Sequence, residues 1–181
     1  MKKSILASLA VIGMAASTSA LADTNQASPS YDYLQLGLEK VEGLGDENFR
    51  LDLSKTVYDS AFVRASWAEG FESSDEYRLG LGYAHTMQQG LDLYVGASYV
   101  HQDDPWDSES GYDVFGGVRY MAMPQLELNA EVLHTDVYDD YQLYKFGARY
   151  HLGNFSIAAS YGIPSESEAG DVANLGVAWH F

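Results

Sequence analysis

From Tyr31 to Phe181, apolar residues recur at every second position in short segments separated by turn-forming residues. Side chains on a β-strand point alternately to opposite faces, so each segment reads as a strand with one apolar and one polar face. Leu34, Leu36 and Leu38 mark the first, Phe49, Leu51 and Leu53 the second, and Val63, Ala65 and Trp67 the third. Tyr77, Leu79, Leu81 and Tyr83 mark the fourth, and Leu91, Leu93, Val95, Ala97 and Tyr99 the fifth. The sixth carries Tyr112, Val114, Gly116, Val118 and Tyr120, the seventh Leu126, Leu128, Ala130 and Val132. Tyr144, Phe146, Ala148 and Tyr150 mark the eighth, and Phe155, Ile157, Ala159 and Tyr161 the ninth. Ala173, Leu175, Val177, Trp179 and Phe181 mark the tenth, which ends the chain on an aromatic residue. No helical period competes with this alternation.

The links between segments alternate in length. Tyr58 to Ser60, Thr86 to Gly90, Ala122 to Gln125 and Leu152 to Asn154 are short. Val41 to Glu47, Glu69 to Asp75, His101 to Glu109, Thr135 to Asp140 and Pro164 to Asp171 are mostly longer. Short turns at one end and longer loops at the other are the rhythm of a barrel that crosses a membrane, with an even strand count and both termini on the short-turn, periplasmic side. Strands of about 8–13 residues suit a tilted crossing. The chain is therefore expected to be all-β, a transmembrane antiparallel up-and-down β-barrel of ten strands. Eight would remain if the second and third segments folded outside the bilayer, against which the loop rhythm argues.

The apolar face carries paired tyrosines, Tyr77 with Tyr83, Tyr112 with Tyr120 and Tyr144 with Tyr150. Six to eight residues of tilted strand rise roughly 15–20 Å, which sets one ring of each pair at each interface of a bilayer. Trp179 and Phe181 would join the inner belt, and Trp67, Tyr99 and Tyr161 the outer one.

Charge distinguishes the two faces. Arg50, Arg64, Arg78, Arg119, Lys145 and Arg149 share the polar face with Glu39, Asp52, Asp92, Asp113, Glu127 and Glu131, in equal numbers. Buried charges need partners, and equal numbers supply them. These residues either line a pore or fill the lumen of a narrow barrel with salt bridges, and a barrel little wider than its side chains favours filling. The outer loops, by contrast, hold many carboxylates and no lysine or arginine: Glu42, Asp46, Glu47, Glu69, Glu72, Asp75, Glu76, Asp103, Asp104, Asp107, Glu109, Asp136, Asp139, Asp140, Glu166, Glu168 and Asp171. They form a solvated acidic rim, or a place for divalent cations to relieve crowding through oxygen ligation. No loop has the spaced acidic calcium motif. With a formal net charge of −16, the chain is a poor nucleic-acid binder.

The N-terminus has its own logic. Lys2 and Lys3, an apolar stretch from Ile5 to Ala16 and the small-residue run Ala20-Leu21-Ala22 read as a cleaved signal peptide over residues 1–22. Residues 23–30 read as a flexible polar lead-in, and the barrel as residues 31–181. The sequence has no cysteine, which rules out disulfides.

The chain end resembles the C-terminal signal of bacterial outer-membrane proteins: Asn174, then Gly176, then Trp179 and Phe181. That resemblance implies recognition by the barrel-assembly machinery. With the leader, the strands and the loop rhythm, the chain resembles the small outer-membrane β-barrel proteins, the group that includes the OmpA barrel, OmpX and OmpW. The resemblance implies a monomer embedded in outer-membrane lipid of the cell envelope, without a cofactor.

Catalysis finds little support in the sequence. His134-Thr135-Asp136 and His101-Gln102-Asp103 loosely resemble the Asp/His pairs of omptin proteases, but in reverse order and on the lipid-facing parity. The His-x-Ser of lipid A deacylase barrels is absent, and His85, His151 and His180 fall at periplasmic ends. No catalytic, cofactor or metal residues are expected. The expected function is a non-enzymatic barrel with a filled lumen and acidic outer loops, serving envelope structure or surface interaction through loop residues such as Phe71, Trp106 and Tyr138. The alternatives are a narrow porin-like channel for small solutes or cations and, further off, a barrel hydrolase.

Overall fold

The computed structural model describes residues 28–43, 47–69, 74–104, 106–137, 140–166 and 170–181. Ten strands follow in chain order: β1 (Tyr33–Val41), β2 (Glu47–Tyr58), β3 (Ala61–Glu69), β4 (Asp75–Gln88), β5 (Leu91–Asp103), β6 (Ser108–Met123), β7 (Leu126–Asp136), β8 (Asp140–Leu152), β9 (Phe155–Pro164) and β10 (Val172–His180). Each pairs antiparallel with its sequence neighbours. β1 also pairs with β10, Tyr33 opposite His180 and Val41 opposite Val172, so the sheet closes into a barrel. The second and third segments are β2 and β3, each paired on both sides, so the barrel has ten strands and not eight. Closure leaves no sheet edge, which is what lets a strand sit in lipid with every backbone group satisfied.

At one end, β2–β3, β4–β5, β6–β7 and β8–β9 are each joined by two residues. Three of these tight reversals place backbone in the left-handed region, at Asp59 (φ 41°), Gly90 (φ 79°) and Gly153 (φ 67°). These turns are laced to the next strand along. The carbonyls of Ser60, Gly90, Gln125 and Asn154 accept from the N–H groups of Ala84, Met121, His151 and His180 at 2.7–2.8 Å.

The opposite links are shorter than the polarity of the sequence indicates. Glu47, Glu69, Asp75, Glu76, Asp103, Glu109, Asp136 and Asp140 belong to strands rather than loops. The ladders continue past the apolar belt, where polar residues replace apolar ones and the period-two signal fades before the pairing does. Asp46, Phe71, Glu72, Tyr138, Asp139 and Glu168 lie outside the described residues, as do the leader and residues 23–27 of the lead-in.

The polarity of the barrel is inverted relative to a soluble protein. Leu36, Leu79, Leu81, Val95, Leu175 and Val177 stand exposed on the outer surface, Leu79 and Leu81 each at 64%. Asp113, Glu127, Arg119 and Ser98 are buried inside. Soluble monomers rarely show contiguous apolar surface beyond about a few hundred Å². An apolar exterior on a closed barrel fits a bilayer.

The interior is not wholly polar. Phe62, Ala84, Phe115, Leu133 and Leu143 form a buried cluster, with Tyr31, Tyr94, Tyr141 and Val172 packed against it. It occupies the β3–β8 side of the lumen. Gly82 and Gly96 make room for it: a Cβ on Gly82 would fall on the Phe62 ring, and one on Gly96 on the Phe115 ring.

Candidate functional site: the lumen

The inward positions of the strands bring the charged residues together in a chain of contacts. On β6 and β7, the Arg119 guanidinium donates to both oxygens of Glu127, at 2.7 and 2.9 Å, with both side chains nearly sealed from solvent. His151 Nε2 lies 3.3 Å from the same carboxylate. Arg50 on β2 bridges Glu39 at 3.2 Å and Asp52 at 3.0 Å. Arg78 on β4 donates to Asp113 on β6 at 2.8 Å, and Thr135 donates to the other oxygen of Asp113 at 2.7 Å.

Glu131 is the hub across the lumen. It sits on β7 and accepts from Arg64 on β3 at 3.2 Å and from the Tyr94 hydroxyl on β5 at 3.0 Å. Lys145 Nζ lies 3.8 Å from its other oxygen. Arg64 also sits over Phe115, its Cζ 3.3 Å from the ring centroid, so one cation serves the ion-pair network and the apolar cluster together.

Two of the expected network residues stand apart. Asp92 faces Arg119 across the β5–β6 ladder, yet it accepts from Thr86 at 2.8 Å. Arg119 has turned to Glu127, and Tyr31 lies against its guanidinium, 4.5 Å from Cζ to centroid. Arg149 donates to Gln35 at 2.9 Å and lies over Tyr33, with no carboxylate in bridging range among the described residues. One member was missed. Glu76 pairs with Arg78 and accepts from Gln102 at 3.0 Å, so it faces the lumen rather than the outer loops. The signal was present, since Glu76 has the parity of Arg78.

A cavity of about 440 Å³ runs beside these contacts. Val41, Pro164 and Gly170 line one end, Tyr31 and Tyr33 the other, and Glu39, Arg50, Lys145 and Arg149 the wall between. A smaller pocket of about 360 Å³ lies at the short-turn mouth, lined by Ser28, Pro29, Ser30, Thr56, Thr86 and Asp92 among others. Tyr31 and Phe62 line both cavities.

The lead-in ends at that mouth. Pro29 is buried, and the Asp32 carboxylate accepts from the Thr56 N–H at 2.6 Å and from Lys55 Nζ at 3.2 Å. Partial burial opposes ionisation of Asp32, but the Thr56 and Lys55 contacts outweigh it and hold the carboxyl below its ordinary range. Burial pushes the Tyr31 hydroxyl up, against the pull of Arg119, so the phenol stays neutral.

Among the tyrosines on the apolar face, Tyr77, Tyr83, Tyr112, Tyr144 and Tyr150 are exposed on the outside, and Tyr120 is half-buried. Tyr77 stacks with His101 at 6.5 Å, Trp67 donates to Asp75 at 2.9 Å and Tyr161 to Asp171 at 2.6 Å. At the chain end, Trp179 and Phe181 are 5.2 Å apart on the outer surface, with Lys55 Nζ 4.9 Å over Phe181. Asn174 lines the lumen cavity, and Gly176 faces Gly37 across the seam. Trp106 stands almost fully exposed in the link between β5 and β6.

The Ser156 hydroxyl is 2.9 Å from His180 Nε2, but Ser156 has no solvent-accessible surface, so no substrate reaches that pair. No group of three or more His, Asp or Glu side chains able to hold a metal ion occurs among the described residues.

No protein-family model matches this sequence, and no curated protein matches it either. Solved structures do match the fold. The chain is similar to a KdgM porin in complex with disordered oligogalacturonate, with a TM-score of 0.54 and 13% identity over 82% of this chain and 99% of that one. It is similar to the NanC porin at 0.53 and 9%, over 82% and 100%. The closed antiparallel barrel, apolar outside and charged within, is the fold of the outer-membrane β-barrel proteins.

Proposed function

We propose that this chain is a non-enzymatic barrel of the bacterial outer membrane whose lumen is held closed, and that it serves envelope structure or contacts made by its acidic outer surface. The observation that carries the reading is the tie across the lumen, in which Arg64 of β3 and Tyr94 of β5 meet on Glu131 of β7. Charges bridged in this way are satisfied by each other and leave little for a passing solute. The leader takes the chain across the inner membrane, the barrel-assembly machinery reads the terminal strand, and the barrel acts as a monomer. The outer carboxylates, Asp103, Asp104, Asp107 and Glu109 among them, would attract divalent cations by their summed charge rather than through a formed ligand set.

A narrow channel is the second reading, favoured by the 440 Å³ cavity and by the porin names of the similar structures. Swelling of proteoliposomes in small sugars separates the two. Wild-type barrel is expected to leave the vesicles tight, and Arg64→Ala with Glu131→Ala, in a chain that also lacks residues 23–32, to make them permeable. Wild-type vesicles that swell as fast as the double variant would favour the channel.

A further inference from the structure

We propose that Ser28–Asp32 is a displaceable plug for the short-turn mouth of the lumen, with Tyr31 as its stopper. The proposal rests on the closed-lumen reading and names what closes this end. Tyr31 stands where the two cavities meet, and Phe62 of β3 lines both beside it. The rings are stacked at 4.7 Å and 25°. Tyr94 meets Tyr31 edge-on at 6.4 Å, and Arg119 covers it at 4.5 Å. Withdrawing this one ring joins the lumen cavity to the inner pocket. The joined path is polar on both sides of the stopper, with Thr56, Ser60, Thr86 and Asp92 below and the ion pairs above.

The attachment is light. β1 begins at Tyr33, so residues 28–32 belong to no ladder. Beyond the Tyr31 contacts and the burial of Pro29, the segment is pinned at Asp32 by Thr56 and Lys55. A segment without ladder bonds opens far more easily than the barrel around it. An aromatic stack with a cation–π contact shifts a closed–open balance by on the order of tenfold. That is enough to keep the mouth shut and little enough to be reversed without unfolding a strand.

The test is ion conductance in planar bilayers, with folding checked by heat-dependent gel mobility. Four proteins are compared: the full mature chain, the chain lacking residues 23–32, Tyr31→Ala and Tyr31→Phe. The full chain and Tyr31→Phe, which keeps the ring, are expected to stay closed. Tyr31→Ala is expected to raise the open fraction by on the order of tenfold, and the shortened chain to conduct steadily. A synthetic peptide of residues 23–32 is expected to block the shortened chain from one side of the bilayer only. A shortened chain that folds and stays silent overturns the plug and leaves the closed lumen standing. A full chain that conducts as steadily as the shortened one overturns both.

Discussion

At the scale of single residues, burial decides which charges matter. Glu127 and Arg119 are both nearly sealed and bonded twice, so truncating Glu127 leaves the Arg119 guanidinium buried without its carboxylate. Breaking such a pair costs about 3–5 kcal/mol. Glu127→Ala is therefore expected to lower the temperature at which the folded gel band converts to the unfolded one, and Lys55→Ala, at an exposed rim pair, to change it little. Asp32 gives a pH dependence of definite sign. Its carboxyl is depressed in the folded state, so its contribution is full above the ordinary aspartate range and is lost as pH falls through the lower folded value. Docking of the Tyr31 segment should then hold at neutral pH and loosen only in strong acid, whereas Asp32→Asn should weaken it at all pH. Fluorescence quenching of a probe at position 28 follows this directly.

At the scale of strands, the alternation sets which face a substitution meets. Leu79 faces lipid and Gly82, on the same strand, faces the lumen beneath Phe62. Arginine on the lipid face near the midplane costs about 2–4 kcal/mol. Leu79→Arg is expected to lower the stability of the folded barrel in bilayers by that amount, measured by urea titration. Gly82→Leu is expected to displace Phe62 and with it the seat of Tyr31. Most of the strand pattern was legible in the sequence, because period two and turn chemistry act locally. The strand ends were not, since residues such as Glu76 and Asp103 are as polar as a loop and yet stay in the ladder. The inward apolar cluster was legible in principle. Phe62 has the parity of Arg64, and Phe115 that of Asp113, but a charged face draws attention away from the rings it contains. Glu131 meeting Arg64 across four strands depends on barrel closure and radius, which no local period encodes. Tyr31 precedes the first strand and carries no periodic signal.

At the scale of the whole molecule, the barrel is a closed cylinder with lipid-facing leucines, tied charges inside and carboxylates around the outer end. The interior divides into a packed side, held by Phe62, Phe115 and Leu133, and an open side along β1, β9 and β10, where Ala158, Ser160 and Asn174 line the cavity. In the proposed reading, this asymmetry lets the barrel hold a cavity and still be closed: the ties cross it, and a ring stands at its end. The outer carboxylates give a further prediction. If they bind divalent cations, the conversion temperature should rise with calcium at fixed ionic strength; no change would leave them a solvated rim. The central claim, a closed lumen, is tested most directly by planar-bilayer recording of the purified, refolded wild-type barrel. The account predicts silence or rare brief openings from protein whose gel mobility shows it folded. Steady, reproducible unitary steps from the same preparation would contradict it.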